Sequence, residues 1–213
     1  MQLIGMLDSP YVRRVAISFQ LLGIEFEHRP ISVFRQLDEF RGINPIVKAP
    51  SLICDDGDVL MDSTLIIEYG EALTRGRRSL MPEPLMERQR ALRLIGLALA
   101  AMEKSVQVLY ERHLRPPERV HQPWLSRVTD QMQRAFQLIE AEVRARTIAM
   151  TSSTVNQAGV SAAVAWHFAE RMQPDLLDFA KFPAMRDLSA KAEALPEFKA
   201  APHGEGTYRV AVR

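Results

Sequence analysis

The chain has 213 residues, 47% of them hydrophobic, with 27 Lys and Arg against 26 Asp and Glu and a formal net charge of +1. That balance gives no reason to expect nucleic acid or an anionic membrane as a partner, and the length suits one large domain or two small ones. A single cysteine, Cys54, excludes an intramolecular disulfide and fits a reducing compartment. The start of the chain lacks the pattern of a signal peptide and no stretch approaches the roughly 18 apolar residues of a membrane span, so a cytoplasmic protein is expected.

In chain order, Leu3 to Met6 is short and apolar and reads as a strand. Tyr11 to Leu22 carries Val12, Val15, Ala16, Phe19 and Leu22 at helical spacing, and Gly23 stops it as a residue just past a helix end would. Glu25 to Arg29 reads as a second strand and Leu37 to Gly42 as a short helix. Ser51–Cys54 and Val59–Met61 flank Asp55-Asp56-Gly57-Asp58, a strong hairpin signal. A helix then opens at Ser63 and runs through Leu73. The order β-α-β-α-β-β-α predicts a thioredoxin-like α/β layer.

Residues 75–84 (RGRRSLMPEP) break the periodicity and read as a linker. Everything beyond it is helical in pattern: Leu85 to His113, Trp124 to Arg146, Thr154 to Met172 and Phe182 to Leu195. The expected organisation is a thioredoxin-like domain over 1–78, a linker over 79–85, an all-α C-terminal domain over 86–201 and an irregular tail over 202–213. Thr154 and Gln157 fit a capping box, and Gly159 inside that helix costs about 1 kcal/mol.

Three places carry chemistry. Ser9-Pro10 fits a helix N-cap followed by proline at the first helical position. Pro50 precedes an apolar strand, where a proline belongs only at the first position or an edge. Its X-Pro bond is a candidate for the cis form, which would turn the backbone of Ala49 toward a peptide ligand. Asp62-Ser63 stands where a strand hands over to a helix, a setting that binds anions. Together these point to a site for a small peptide bearing a carboxylate. Each also has a purely structural reading: caps at Ser9 and Ser63, an exposed loop lysine at Lys48. Cys54 reads as a buried, inert thiol. The five histidines show no ligand spacing and no metal site is expected.

The stretches SPYVRRV (9–15), NPIVKAPSL (44–52) and MDSTLIIEY (61–69), in that order, resemble the N-terminal domain of cytosolic glutathione S-transferases, above all bacterial members whose first helix opens with Ser-Pro. YERHLRPPE (110–118) and ALPEF (194–198) resemble bacterial members as well, so the likeness covers most of the chain. The resemblance implies a homodimer with glutathione as co-substrate and no metal. It implies Ser9 as stabiliser of the glutathione thiolate, Ser63 on the γ-glutamyl carboxylate and Asp62 on its ammonium. Ala49-Pro50 would pair with the cysteinyl backbone and Lys48 would reach the glycyl carboxylate. Tyr11, Met102, Val106, Tyr110 and Trp166 are candidates for the pocket of a small apolar electrophile; core packing is the competing reading. Serine rather than cysteine at position 9 argues against disulfide reduction through a mixed disulfide.

Two positions depart from the family pattern. Val47 replaces a glycine often found there, which is costly if the loop needs a positive φ. Gln157 stands where an aspartate is usual. The implied activity is attack of bound glutathione thiolate on the electrophile. Its rivals are a glutathione-binding protein with little turnover and an interaction module that kept only the fold. Ser63→Ala separates the last of these from the other two, because it removes binding only where glutathione binds.

Overall fold

The computed structural model describes residues 1–146 and 148–204. Its described residues divide into two units: Met1–Met81 with Thr151–Asn156 and 193–204, and 82–150 with Gln157–Ala192. Residues 151–156 and 193–201 group with the first unit. Polar contacts help to hold them there. Arg13 donates to both carboxylate oxygens of Glu193 at 2.7 Å and to Ala201 O at 2.8 Å. Arg78 donates to Ser152 O, and Ser152 Oγ donates to Glu197 at 2.8 Å. Of the expected tail, 205–213 lies outside the described residues.

The first unit is built on a four-stranded mixed sheet in the order β2-β1-β3-β4. Its strands are β1 (Gln2–Ile4), β2 (Glu27–Arg29), β3 (Ser51–Ile53) and β4 (Val59–Met61). β1 and β2 run parallel, while β1–β3 and β3–β4 are antiparallel. Helix α1 (Pro10–Leu22) connects β1 to β2, α2 (Leu37–Ile43) leads to β3, and α3 (Ser63–Leu73) follows β4. This mixed sheet with its helices is the thioredoxin-like layer that the sequence predicts.

Local chemistry explains these elements. Ser9 caps α1 with Pro10 at its first position. At the other end Gly23 takes the left-handed conformation (φ 70°), with Gly23 N–H bonded to Gln20 O and Ile24 N–H to Phe19 O. That pair of bonds is a Schellman closure. Phe40 of α2 packs with Ile4 and Ile31, flanked by Val47, Ala49 and Ile53. By the two-residue strand period, Leu3 and Leu52 point to the opposite face, and both are fully buried. α1 and α3 approach closely at Gly70, where a Cβ would meet the Phe19 ring at 2.7 Å.

The second unit is all helical: α4 (Leu85–His113), α5 (Gln122–Ala145), α6 (Gln157–Met172) and α7 (Pro183–Glu193), whose last residue belongs to the first unit. A four-residue α8 (Pro196–Lys199) returns to the first unit. α4 presents Ala91, Leu94, Ile95, Ala98, Ala101, Met102 and Val108 to the core. Trp166 of α6 is enclosed by Phe136, Phe179 and Phe182, with ring centroids 5.2–5.7 Å away. The Glu140 carboxylate of α5 accepts the Ala184 and Met185 N–H groups at 3.1 and 2.8 Å, satisfying two orphan donors at the start of α7.

Two capping expectations are corrected. α6 begins at Gln157, so Thr154 is not its N-cap. Thr154 instead belongs to a turn with Thr151 (Oγ1···Oγ1 2.6 Å), and Gln157 Nε2 donates to Ser161 Oγ at 3.4 Å. At α3 the cap is Asp62, whose Oδ1 accepts Thr64 N–H at 2.9 Å, and Ser63 is the first helical residue.

Candidate functional site

The strand register decides what shares one end of the sheet. Ile4 pairs with Ser51, and Ser51 with Met61. The loop leaving β1 toward Ser9, the Ala49-Pro50 segment entering β3 and the Asp62-Ser63 step leaving β4 therefore lie at the same end. Gly5 draws the first two together. A Cβ at Gly5 would stand 2.6 Å from Val12 Cγ2 in the first turn of α1 and 3.2 Å from Ala49 Cβ. Its φ of +135° is also one that side chains rarely adopt.

The Ala49-Pro50 peptide is cis. A polar staple beneath it holds the approach loop. Buried Asn44 donates from Nδ2 to Ser51 Oγ at 2.9 Å and accepts Ile46 N–H at 3.0 Å. Ser51 Oγ in turn donates to Lys48 O at 2.8 Å. Sequence reasoning missed the roles of Asn44 and Ser51, although Asn-Pro is a known turn opener. Val47 lies in this loop with φ 54°, so the position does take the left-handed conformation that glycine favours. Its side chain is half-buried against the Ile4–Phe40 cluster.

Ser9 is half-buried at the α1 N-terminus, and its Oγ accepts Val12 N–H at a long 3.4 Å. That contact uses a lone pair and leaves the hydroxyl proton to be donated elsewhere. The first turn of α1 holds no acidic residue to oppose an anion.

Asp62 has φ 74°, a second non-glycine residue in the left-handed region. Strain of this kind concentrates at functional sites. Its Oδ2 stands 3.8 Å from Lys48 Nζ, with both side chains about half exposed, an ion pair worth little in water. Ser63 is buried, and its Oγ accepts a hydrogen bond from Arg14 Nη1 at 3.0 Å. The same nitrogen donates to Thr64 Oγ1 at 3.1 Å. Arg14 is 1% exposed. Burial pushes its guanidinium down to about 10 against the pull of Asp62 and Tyr11, so it stays cationic at neutral pH. The signal for Arg14 was present in the sequence: two arginines inside a helix whose every residue except Tyr11 is buried must find partners.

The five candidates for an electrophile pocket fare differently. Met102 and Trp166 are fully buried in the helical unit. Tyr11 and Val106 are half-buried and Tyr110 is exposed. Cys54 is buried and accepts a hydrogen bond from the Tyr69 hydroxyl; burial raises its thiol above the usual range, as expected of an inert cysteine. Among the described residues no group of three His, Cys, Asp or Glu side chains could hold a metal, and no helix is long and apolar enough to cross a membrane.

Comparison with known proteins agrees with this geometry. Residues 3–78 match the sequence model of the glutathione S-transferase N-terminal domain. A glutathione transferase family member from Pseudomonas fluorescens Pf-5, solved with bound S-(propanoic acid)-glutathione, is 30% identical; the match covers 94% of this chain and 98% of that one with a TM-score of 0.76. A structure of such a protein from the same strain with bound glutathione gives 27% identity, 95% and 98% coverage and a TM-score of 0.80. The GST-like protein YibF of Escherichia coli K12 is 28% identical over 165 residues, 78% of this chain and 80% of its own. The chain belongs to the glutathione S-transferase family.

Proposed function

We propose that the chain binds glutathione at this end of the sheet, stabilises its thiolate and promotes attack on a small apolar electrophile. The observation that carries the reading is the convergence of the cis Ala49-Pro50 peptide, the Ser9 cap and the Asp62-Ser63 step. In this reading the Ala49 backbone pairs with the cysteinyl residue and Ser63 takes the γ-glutamyl carboxylate at the α3 N-terminus. Asp62 takes the ammonium and Lys48 the glycyl carboxylate, so the Lys48–Asp62 pair opens when ligand enters. Tyr11, Val106 and Tyr110 remain as residues for the electrophile. A cytoplasmic homodimer belongs to the same reading.

The energetics are sufficient. A free thiol has a pKa near ~8.5, and lowering it by about 2 units needs roughly 2.7 kcal/mol of preference for the anion. A helix N-terminus supplies up to ~2 kcal/mol and one charge-assisted hydrogen bond from Ser9 about 1.5–3. The rest of the catalysis comes from holding the two reactants together.

The test is calorimetry with glutathione on the native chain and on Ser63→Ala, with ultraviolet absorbance of the bound thiol followed against pH. The reading expects micromolar to millimolar binding by the native chain, its loss in the variant, and a bound thiol that ionises well below its free value. Absence of binding removes the functional reading and leaves the fold. A second reading, a glutathione-binding protein with little turnover, draws support from the burial of Met102 and Trp166, which reduces the side chains available to an electrophile. It expects binding without a lowered thiol pKa.

A further inference from the structure

We infer that Val47 is a positioning residue: its side chain pins the loop carrying Lys48 and Ala49 onto the core, so that the free protein already holds both in the arrangement that receives ligand. The inference rests on the glutathione-binding reading above and deepens it, because it traces the order of the site to a side chain packed on the core.

The backbone of Val47 is the least expected in the loop. It stands at φ 54°, where a β-branched side chain is crowded by its own main chain. Glycine takes this conformation freely, and the hydrogen bonds of the turn need no side chain at this position. Val47 N–H donates to Asn44 O at 2.9 Å, and Ile46 N–H donates to Asn44 Oδ1 at 3.0 Å; both donors are backbone groups that a glycine at 47 would keep. A strained backbone persists only where its surroundings over-determine it. For Val47 those surroundings are apolar: it packs against the buried cluster of Ile4 from β1, Ile31 after β2 and Phe40 from α2.

That contact fixes the two residues that follow. Ala49 packs on the same cluster, whereas Lys48 between them is exposed. With its neighbours on either side held to the core, Lys48 faces solvent, and its Nζ stands 3.8 Å from Asp62 Oδ2 at the head of α3. The polar staple secures other points of the loop. Asn44 Nδ2 donates to Ser51 Oγ at 2.9 Å, and Ser51 Oγ donates to Lys48 O at 2.8 Å. Between Asn44 and the Lys48 carbonyl, the Val47 side chain supplies the apolar anchor. Its removal leaves the staple in place and frees the backbone at 47. A ligand that needs one arrangement of a mobile loop binds more weakly in proportion to the time spent in the others. Val47 keeps that penalty low.

The experiment combines hydrogen exchange over residues 44–49, read by mass spectrometry, with glutathione calorimetry on four proteins: the native chain, Val47→Gly, Val47→Asn and Val47→Ile. Glycine and asparagine both accept the left-handed backbone but give up the apolar contact; isoleucine keeps it. Free Val47→Gly and Val47→Asn should exchange faster than the native chain in this segment. Their glutathione affinity should fall about tenfold if the loop then holds the binding arrangement roughly a tenth of the time. Val47→Ile should exchange and bind as the native chain does. Should Val47→Gly fail to fold, Val47→Asn carries the same two readouts. Native exchange in the glycine and asparagine variants assigns the order of the loop to the polar staple alone and overturns the inference. Faster exchange with unchanged glutathione affinity makes the contact purely structural and overturns it as well. If the native chain binds no glutathione, the glutathione reading itself fails, and the exchange rates still decide whether Val47 orders the loop.

Discussion

Ser9 carries two tasks on one oxygen. Its lone pair caps Val12 N–H at a distance near the limit of a hydrogen bond, while its proton is the group proposed to meet the thiolate. Replacing it separates the tasks. Ser9→Ala removes a weak cap, worth about 0.5–1 kcal/mol of stability, and a charge-assisted donor, worth about 1.5–3 kcal/mol to the anion. The bound glutathione thiol should then ionise about 1–2 units higher while glutathione affinity at low pH changes little; thiolate absorbance against pH measures the first and calorimetry the second. An unmoved thiol pKa would assign the stabilisation to backbone amides. Asp62 and Val47 show a different residue-scale effect. Both sit at positive φ, and a conformation of that kind costs of order 1–3 kcal/mol for a side-chain residue. Val47 offsets part of this by packing on the Ile4–Phe40 cluster.

At the scale of elements, the strand β2 contains a titrating group with a clear sign. His28 is buried, and its Nε2–H donates to Gly5 O at 2.7 Å. Burial holds the imidazole below its usual range, with the Gly5 bond opposing the shift. A depressed folded-state pKa means that the unfolded chain binds the proton more readily. The corresponding stability is present above the ordinary histidine pKa of about 6.5 and is lost as pH falls through the lower folded value. Urea unfolding of the native chain should therefore weaken from pH 7 toward pH 5, and His28→Gln should flatten that slope. An unchanged slope in the variant would place the pH dependence elsewhere.

At the scale of the molecule, the first unit is not a contiguous stretch of chain. Arg13 is buried at 1% exposure, forms a two-point ion pair with Glu193 and stands 5.7 Å from the centroid of the Phe198 ring. Breaking a buried pair by removing one partner costs roughly 3–5 kcal/mol. Glu193 is 27% exposed and can rehydrate, so Arg13→Met should lower stability by less than that, read by urea unfolding, and should expose the segment after Glu193 to proteolysis before the rest of the first unit. Resistance of that segment in the variant would show that apolar packing alone retains it.

Much of this architecture was legible before any coordinates. The periods of α1, α4 and α5, the Asp-Asp-Gly-Asp hairpin, the glycine stop at Gly23 and the place of Pro50 at the start of a strand all follow from local constraints: side-chain spacing, turn chemistry and the missing proline N–H. The residues proposed to meet the ligand came instead from the family resemblance of three short motifs. Tertiary structure decided the rest. Nothing local shows that Arg14 reaches Ser63, that Arg13 holds Glu193, or that Trp166 is enclosed by three phenylalanines. These contacts join residues far apart in the chain, and a buried charge or ring takes whatever partner the packed fold brings to it. The sequence by itself determined the elements and the short motifs of the candidate site, and strand pairing brought those motifs to one end of the sheet. Packing alone decided which charges lie beneath it.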